Sequence, residues 1–193
     1  MLEYISGTIQ KLTPTYAVID NAGIGYFVNI SVYTCQKITQ NSQTTLLVHE
    51  IIREDAHELF GFFDETERSM FRMLISVSGV GANTARVILS KLSAQEVASS
   101  IALGNVQVLQ AVKGIGGKTA QRIIVDLKDK VTSISQGEEI FVSQGNTLVH
   151  EALSALLMLG FAKNSVEKIV QTIVSEQTYT SVEDVVKAAL KRL

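Results

Sequence analysis

Two stretches decide how this chain is read: ISVSGVGANTARVILSKL (residues 75–92) and QAVKGIGGKTAQRIIVDL (residues 110–127). They align without a gap, Gly79 on Gly114, at a spacing of 35 residues. Each carries glycine, an apolar residue, glycine, three further residues, alanine and then an apolar run with helical spacing. A repeat of this kind outranks local propensity in deciding a fold. In each copy one helix ends before the first glycine and the backbone turns sharply there. Val80 or Ile115 points back as an anchor, and a second helix starts. Its first turn has N–H groups with no intrahelical partner, which together with the helix dipole suit a phosphate. Lys118 adds a charge beside the second turn. No side chain in this scheme reads a base, so binding follows backbone shape rather than sequence.

The repeat lies in a segment that reads as helical from Asp64 to about residue 131. Phe71, Leu74 and Ile75 share one face; so do Val87, Ile88 and Leu92, and then Ile123, Ile124 and Leu127. SAQE (93–96) reads as a capping box. Residues 1–63 read differently, as short β-strands: LEYISGTI, TYAVID, GIGYFVNI, TTLLVHEII and HELFGFF, with DNAG (20–23) as a turn and Pro14 in the first turn region. Five strands at this size suggest an OB-fold barrel, with an SH3-like barrel nearly as compatible. Residues 132–146 lose periodicity and read as a flexible linker, interrupted by Ile140, Phe141 and Val142. Residues 147–193 fit three helices, at about 147–159, 164–175 and 180–192, the second and third begun by capping boxes NSVE (164–167) and TSVE (180–183). The expected fold class is therefore α+β and multidomain: a barrel (1–63), an all-α tandem hairpin domain (64–131), the linker and a three-helix domain.

The chain has 193 residues, is 46% hydrophobic and 19% charged, and carries a net charge of −2. That composition suits a globular protein with a real core. No apolar run approaches a membrane span, the start lacks signal-peptide character, and Cys35 is the only cysteine. A cytoplasmic location is expected. The charge is unevenly spread. Residues 1–64 hold three basic and seven acidic side chains, residues 65–134 nine and five, and residues 135–193 five and seven. A basic middle between acidic ends is more informative than the total.

The two segments resemble helix-hairpin-helix motifs, and the pair resembles the doubled motif of DNA-structure-binding proteins. The whole chain resembles the RuvA family, the Holliday-junction-binding subunits of the bacterial branch-migration complex. REDA followed by LFGF (53–62) is similar to the segment around that family's acidic pin, and EALSALLMLGF (151–161) to the start of its C-terminal domain. The first hairpin has Ala82-Asn83 where the family often has Pro-Lys; the second has Lys113 and Gly117 where Pro and Lys are common. On this reading the first hairpin lacks an adjacent cation. The resemblance implies phosphate contacts at Gly79, Val80, Gly81, Asn83, Gly114, Ile115, Gly116, Gly117, Lys118, Thr119 and Arg122, and an acidic pin at Glu54 and Asp55. It also implies a UBA-like C-terminal domain that docks the RuvB hexameric ATPase, with Leu156, Leu159 and Phe161 as candidates. Further implied are a homotetramer or octamer, the RuvC resolvase as an additional partner, and roles in recombination, repair and the SOS response. No catalytic residue, metal or cofactor is implied; ATP hydrolysis would belong to RuvB.

Other constellations fail. GIGGKT lacks the P-loop's first glycine, Val112 standing in its place. His49, His57 and His150 have no metal-ligand spacing. Asp126 resembles the catalytic Asp of helix-hairpin-helix glycosylases, but an exposed helical acid is the simpler reading. Two rival functions are a glycosylase or structure-specific nuclease, and a single-strand binder using the barrel. The second is disfavoured because the β-region is acidic and no aromatic–cation grouping is evident in it.

Overall fold

The computed structural model describes residues 1–135, 144–177, 179 and 181–193, which form two compact units, Met1–Gly137 and Glu138–Leu193. In the first, strands β1 (Tyr4–Leu12), β2 (Tyr16–Asn21), β3 (Ile24–Ile30), β4 (Gln43–Arg53) and β5 (Ala56–Phe62) close a barrel in the order β1-β2-β3-β5-β4. Every pairing is antiparallel except β3 with β5. This is the OB arrangement, and it removes the SH3-like alternative. Alternate residues fill the interior, among them Ile9, Ile19, Val28, Ile30, Leu46 and Val48. Gly7 is required there: a Cβ on it would lie 2.2 Å from the Asp20 carbonyl oxygen.

Strand-like composition concealed a short helix, α1 (Val32–Lys37), whose N-cap Ser31 accepts a hydrogen bond from the Thr34 N–H. The outer face of β2 and β3 corrects a second expectation. Tyr16 and Phe27 stack with ring centroids 4.6 Å apart, and the Lys11 ammonium lies 5.4 Å from the Tyr16 centroid. An aromatic–cation grouping is therefore present. Register makes it: Val18 sits opposite Phe27 and Tyr16 opposite Asn29, so the two rings are diagonal neighbours.

Helices α2 (Glu65–Ile75), α3 (Ala82–Lys91), α4 (Ala94–Ala102), α5 (Val106–Gln110) and α6 (Gly117–Ser135) complete this unit. One apolar core crosses from barrel to helices, with Phe71 of α2 5.2 Å from Phe60 and 4.9 Å from Phe62, centroid to centroid. A buried polar bridge runs beside it. Glu67 accepts hydrogen bonds from the Ser31 and Thr34 hydroxyls, and Thr34 Oγ1 accepts one from the Phe63 N–H. Burial pushes the Glu67 carboxyl above the usual carboxylate range. The Tyr33 hydroxyl donates to Asp64 at 2.8 Å, and that bond is the main reason its pKa is pushed up to about 12.

The Ser93–Glu96 capping box is present as expected. Val87, expected on the buried face of α3, is 39% exposed; Ala85, Ile88 and Leu89 form that face instead. Helix α6 runs to Ser135, so the predicted linker begins inside a helix, and Ile140, Phe141 and Val142 lie outside the described residues.

The second unit packs α7 (Gln144–Met158), α8 (Lys163–Glu176) and α9 (Val182–Leu190) around Leu156, Val166, Val170, Ile173 and Val185. Its helix starts differ from those expected. Helix α8 begins at Lys163 with Ala162 at the N-cap and no side-chain cap, two residues ahead of Asn164. Helix α9 is capped by Ser181, which accepts from the Asp184 N–H, rather than by Thr180. Among the described residues no helix is long and apolar enough to cross a membrane.

Candidate nucleic-acid interface

The 35-residue repeat reappears at the level of single hydrogen bonds. In the first hairpin Val77 N–H donates to Leu74 C=O, Val80 N–H to Val77 C=O, and Ala85 N–H to Gly81 C=O. In the second, Val112 N–H donates to Leu109, Ile115 N–H to Val112, and Ala120 N–H to Gly116. Gly79 and Gly114 have φ of +89° and +92°, conformations that an L side chain rarely adopts. Val80 and Ile115 are buried anchors, so only their backbone can serve a ligand.

Gly81 and Gly116 are glycines for a different reason. Gly81 has φ −82° and ψ 167°, open to any residue, and a Cβ on Gly81 or Gly116 would meet nothing within 4 Å. The fold does not need glycine there. Both precede a helix, at the position where a Ser, Thr, Asp or Asn side chain usually accepts from the first-turn N–H groups. Ser31, Asp64, Ser93 and Asn105 do this for α1, α2, α4 and α5. Helices α3 and α6 start behind a residue with no side chain, so their N-cap residues leave the first-turn donors uncovered. Exposed Asn83 stands in the first turn of α3, and exposed Lys118 at the matching place in α6, with Thr84 and Thr119 beside them.

The first hairpin has no adjacent cation in sequence, Asn83 standing where the second has Lys118, but it has one in space. Arg122 of α6 reaches across and donates to the Ser78 carbonyl at 3.2 Å, setting a guanidinium beside the first turn. Lys91 of α3 in turn donates to the Ala111 carbonyl in the second hairpin. Each copy thus places a cation on a carbonyl of the other copy's turn. Arg86 of α3 is drawn away to the barrel, where it donates to the Thr15 carbonyl at 2.6 Å.

The acids of the β4–β5 hairpin lie at its tip. Pairing continues to Arg53 opposite Ala56, leaving Glu54 and Asp55 as an exposed two-residue turn. Behind it lie two side-chain pairs. Arg53 lies 3.6 Å from Glu58, and His57 Nε2 is 2.8 Å from Glu50, a hydrogen bond that holds the Glu50 carboxyl below its usual range. Behind the tip carboxylates, Glu58 and Glu50 are thus each held by a neighbouring side chain, Arg53 and His57.

In the second unit Leu156 is fully buried in the core, whereas Leu159 is 60% and Phe161 36% exposed. Leu157 and Met158 extend that apolar surface. Among the described residues no three His, Cys, Asp or Glu side chains gather as a metal site.

Comparison with known families covers most of the chain. Residues 1–61 match the RuvA N-terminal domain, residues 71–129 the SAM-like helix-hairpin-helix tandem, and residues 147–193 the RuvA C-terminal domain. The chain belongs to the RuvA family. Among its relatives, the Holliday junction branch migration complex subunit RuvA of Christiangramia forsetii is 47% identical over 193 residues. The subunits of the same name from Flavobacterium psychrophilum and Bacteroides fragilis are 45% and 49% identical, over 193 and 201 residues. In each case both chains are covered completely.

Within this RuvA-family chain, sequence reasoning missed the reciprocal cations Lys91 and Arg122–Ser78, the Arg86 tether and the Glu67 bridge. Each links residues far apart in sequence, so no local signal marks them. The N-cap Ser31 three residues before Thr34 was the one cue available for α1.

Proposed function

We propose that this RuvA-family chain is a non-catalytic subunit that recognises four-way DNA junctions through their backbones. The observation that carries this reading is the pair of in-register turns at Gly79–Gly81 and Gly114–Gly116. Their second glycines are unnecessary for the fold and leave helix N-termini uncovered. Phosphates would sit at the first turns of α3 and α6, against the N–H groups of residues 81–84 and 116–119. Lys118 and Arg122 would supply charge, and the glycines would let the strand come close. The domain division would be a barrel (1–63), a hairpin domain (64–131), a linker (132–146) and a terminal helical domain (147–193).

In an assembly of four subunits the Glu54–Asp55 turns would converge near the crossover. One carboxylate ~10 Å from a phosphate is repelled by only ~0.4 kcal/mol in water. Summed over two acids, four subunits and several phosphates, the repulsion reaches a few kcal/mol. It would keep exchanging strands apart and penalise an ordinary duplex through the centre. Exposed Leu159 and Phe161 would dock the RuvB motor, which would hydrolyse ATP; Leu156 would act through the core. RuvC would be a further partner on the same junction, and the cytoplasm the location.

The test is affinity for an immobile four-way junction against a linear duplex of the same arm sequences at one salt concentration. A preference of a hundredfold or more is expected, with a steep salt dependence. Equal affinities would remove junction recognition and leave a general backbone clamp.

A further inference from the structure

The barrel carries a second grouping that the hairpin scheme does not use. Lys11 on β1, Val18 on β2 and Phe27 on β3 form one outward row, register neighbour to register neighbour. Tyr16 stacks against Phe27 with an interplanar angle of 23°, beneath Lys11. Phe27 is 54% exposed, a large apolar ring left in solvent by a barrel that buries its other side fully. Two residues along β3 from Phe27, on the same face and opposite Tyr16, is Asn29, whose Oδ1 lies 3.5 Å from Arg86 Nη1. The same guanidinium nitrogen holds the Thr15 carbonyl. A stacked aromatic pair therefore lies between two cations, one from β1 and one from the helix of the first hairpin.

We infer that this face is a stacking platform for unpaired nucleotides. A base has a π-face to lay on the Phe27 ring and flanking phosphates for Lys11 and Arg86; an aromatic pair joined to cations is how non-specific single-strand binders work. An apolar protein surface would bury Phe27 equally well but gives the flanking cations no partner. The acidity of the barrel does not oppose this. Glu3 is engaged with Arg68, Glu50 with His57, Glu58 with Arg53, and Asp64 caps α2, while Glu54 and Asp55 lie in the turn at the tip of the β4–β5 hairpin. Asp20 is the acid that shares the outward face, two residues beyond Val18, and it accepts from the Gly23 N–H. This platform is separate from the hairpin turns and does not rest on the junction reading.

The experiment uses the full chain and a fluorescein-labelled oligothymidylate, with binding followed by anisotropy. The unmodified protein should bind it, Phe27→Ser should weaken binding about tenfold or more, and Lys11→Gln should flatten its salt dependence. Phe27→Ser should leave junction affinity within about twofold. A 5-iodouracil oligonucleotide should photo-cross-link to the peptides holding Tyr16 and Phe27, a readout independent of how any variant folds. No binding by the unmodified protein, an unchanged Phe27→Ser, or a cross-link confined to residues 79–84 or 114–119 would overturn the inference. A Phe27→Ser chain that changes assembly mass by light scattering, with oligonucleotide binding merely following mass, would reassign the face to contact between copies. Loss of junction preference with thymidylate binding intact would instead remove the proposed function and leave the platform standing.

Discussion

Gly81→Ser should stabilise the protein while weakening its hold on DNA. Gly81 has the extended backbone of an ordinary N-cap and open space where a side chain would project. A serine there loses conformational freedom mainly in the unfolded chain, which stabilises by about 0.4–1 kcal/mol. Its hydroxyl can accept from the second or third N–H of α3, adding a few tenths. The sum, about 1 kcal/mol, raises the melting temperature by roughly 3–5 °C for a unit of this size. The same hydroxyl occupies a donor that the proposed phosphate would use. Losing one hydrogen bond to a charged group removes about 1.5–3 kcal/mol, or roughly ten- to 150-fold in junction affinity. Thermal melts and fluorescence anisotropy on an immobile junction read the two effects separately. A variant that melts higher yet binds the junction normally would show that the donors of α3 hold no phosphate. One that melts several degrees lower would show that the position needs glycine after all. Gly79→Ala is the contrast: at φ +89° it should cost about 1–2 kcal/mol whatever the ligand.

Neutralising the tip with Glu54→Gln and Asp55→Asn should tighten linear-duplex binding and shrink the junction preference by roughly ten- to a hundredfold, if repulsions of ~0.4 kcal/mol sum as argued; an unchanged ratio in the paired binding assay would leave the tip as a solvated turn. Glu67 carries a folded-state pKa raised by burial. Its contribution is therefore fully present below the ordinary carboxylate pKa and is lost as pH rises through the raised folded value. Urea denaturation should show the unmodified chain losing stability relative to Glu67→Gln across that window, by at most about 1.4 kcal/mol per pH unit; a flat difference would count against a buried, titrating carboxyl. In the second unit, Leu159→Ser should change stability by under about 0.5 kcal/mol yet weaken RuvB capture, whereas Leu156→Ala should cost about 2–5 kcal/mol in the same melt.

The features that sequence alone revealed are those whose signal is local and periodic. Alternation in TYAVID and TTLLVHEII marked β2 and β4 because one face of each fills the barrel. The glycine turns were legible because two copies agreed position by position. Errors arose where one residue of shift changes the answer. Thr180 and Ser181 are both acceptable caps by type, and Ser181 is the one that accepts from the Asp184 N–H. Val87 and Leu89 are both apolar, and only the packing of α3 shows which of them is buried. The six residues of α1 are too few to show a helical period and too β-branched to suggest one. Leu156 and Leu159 look alike in LLMLGF, yet the first faces the core and the second does not. The Tyr16–Phe27 stack needed a strand register that no single strand contains.

The exchanged cations have a meaning for how such a chain arose. Two segments this alike in spacing and hydrogen bonding point to an ancestral hairpin copied in tandem. In the present chain neither copy is self-sufficient: Arg122 of the later one covers a carbonyl of the earlier, and Lys91 of the earlier one covers a carbonyl of the later. Deleting or transplanting one copy would strip a donor from the other's turn. The two turns are therefore tied to one another, and the distance between them is set by contacts to which both copies contribute.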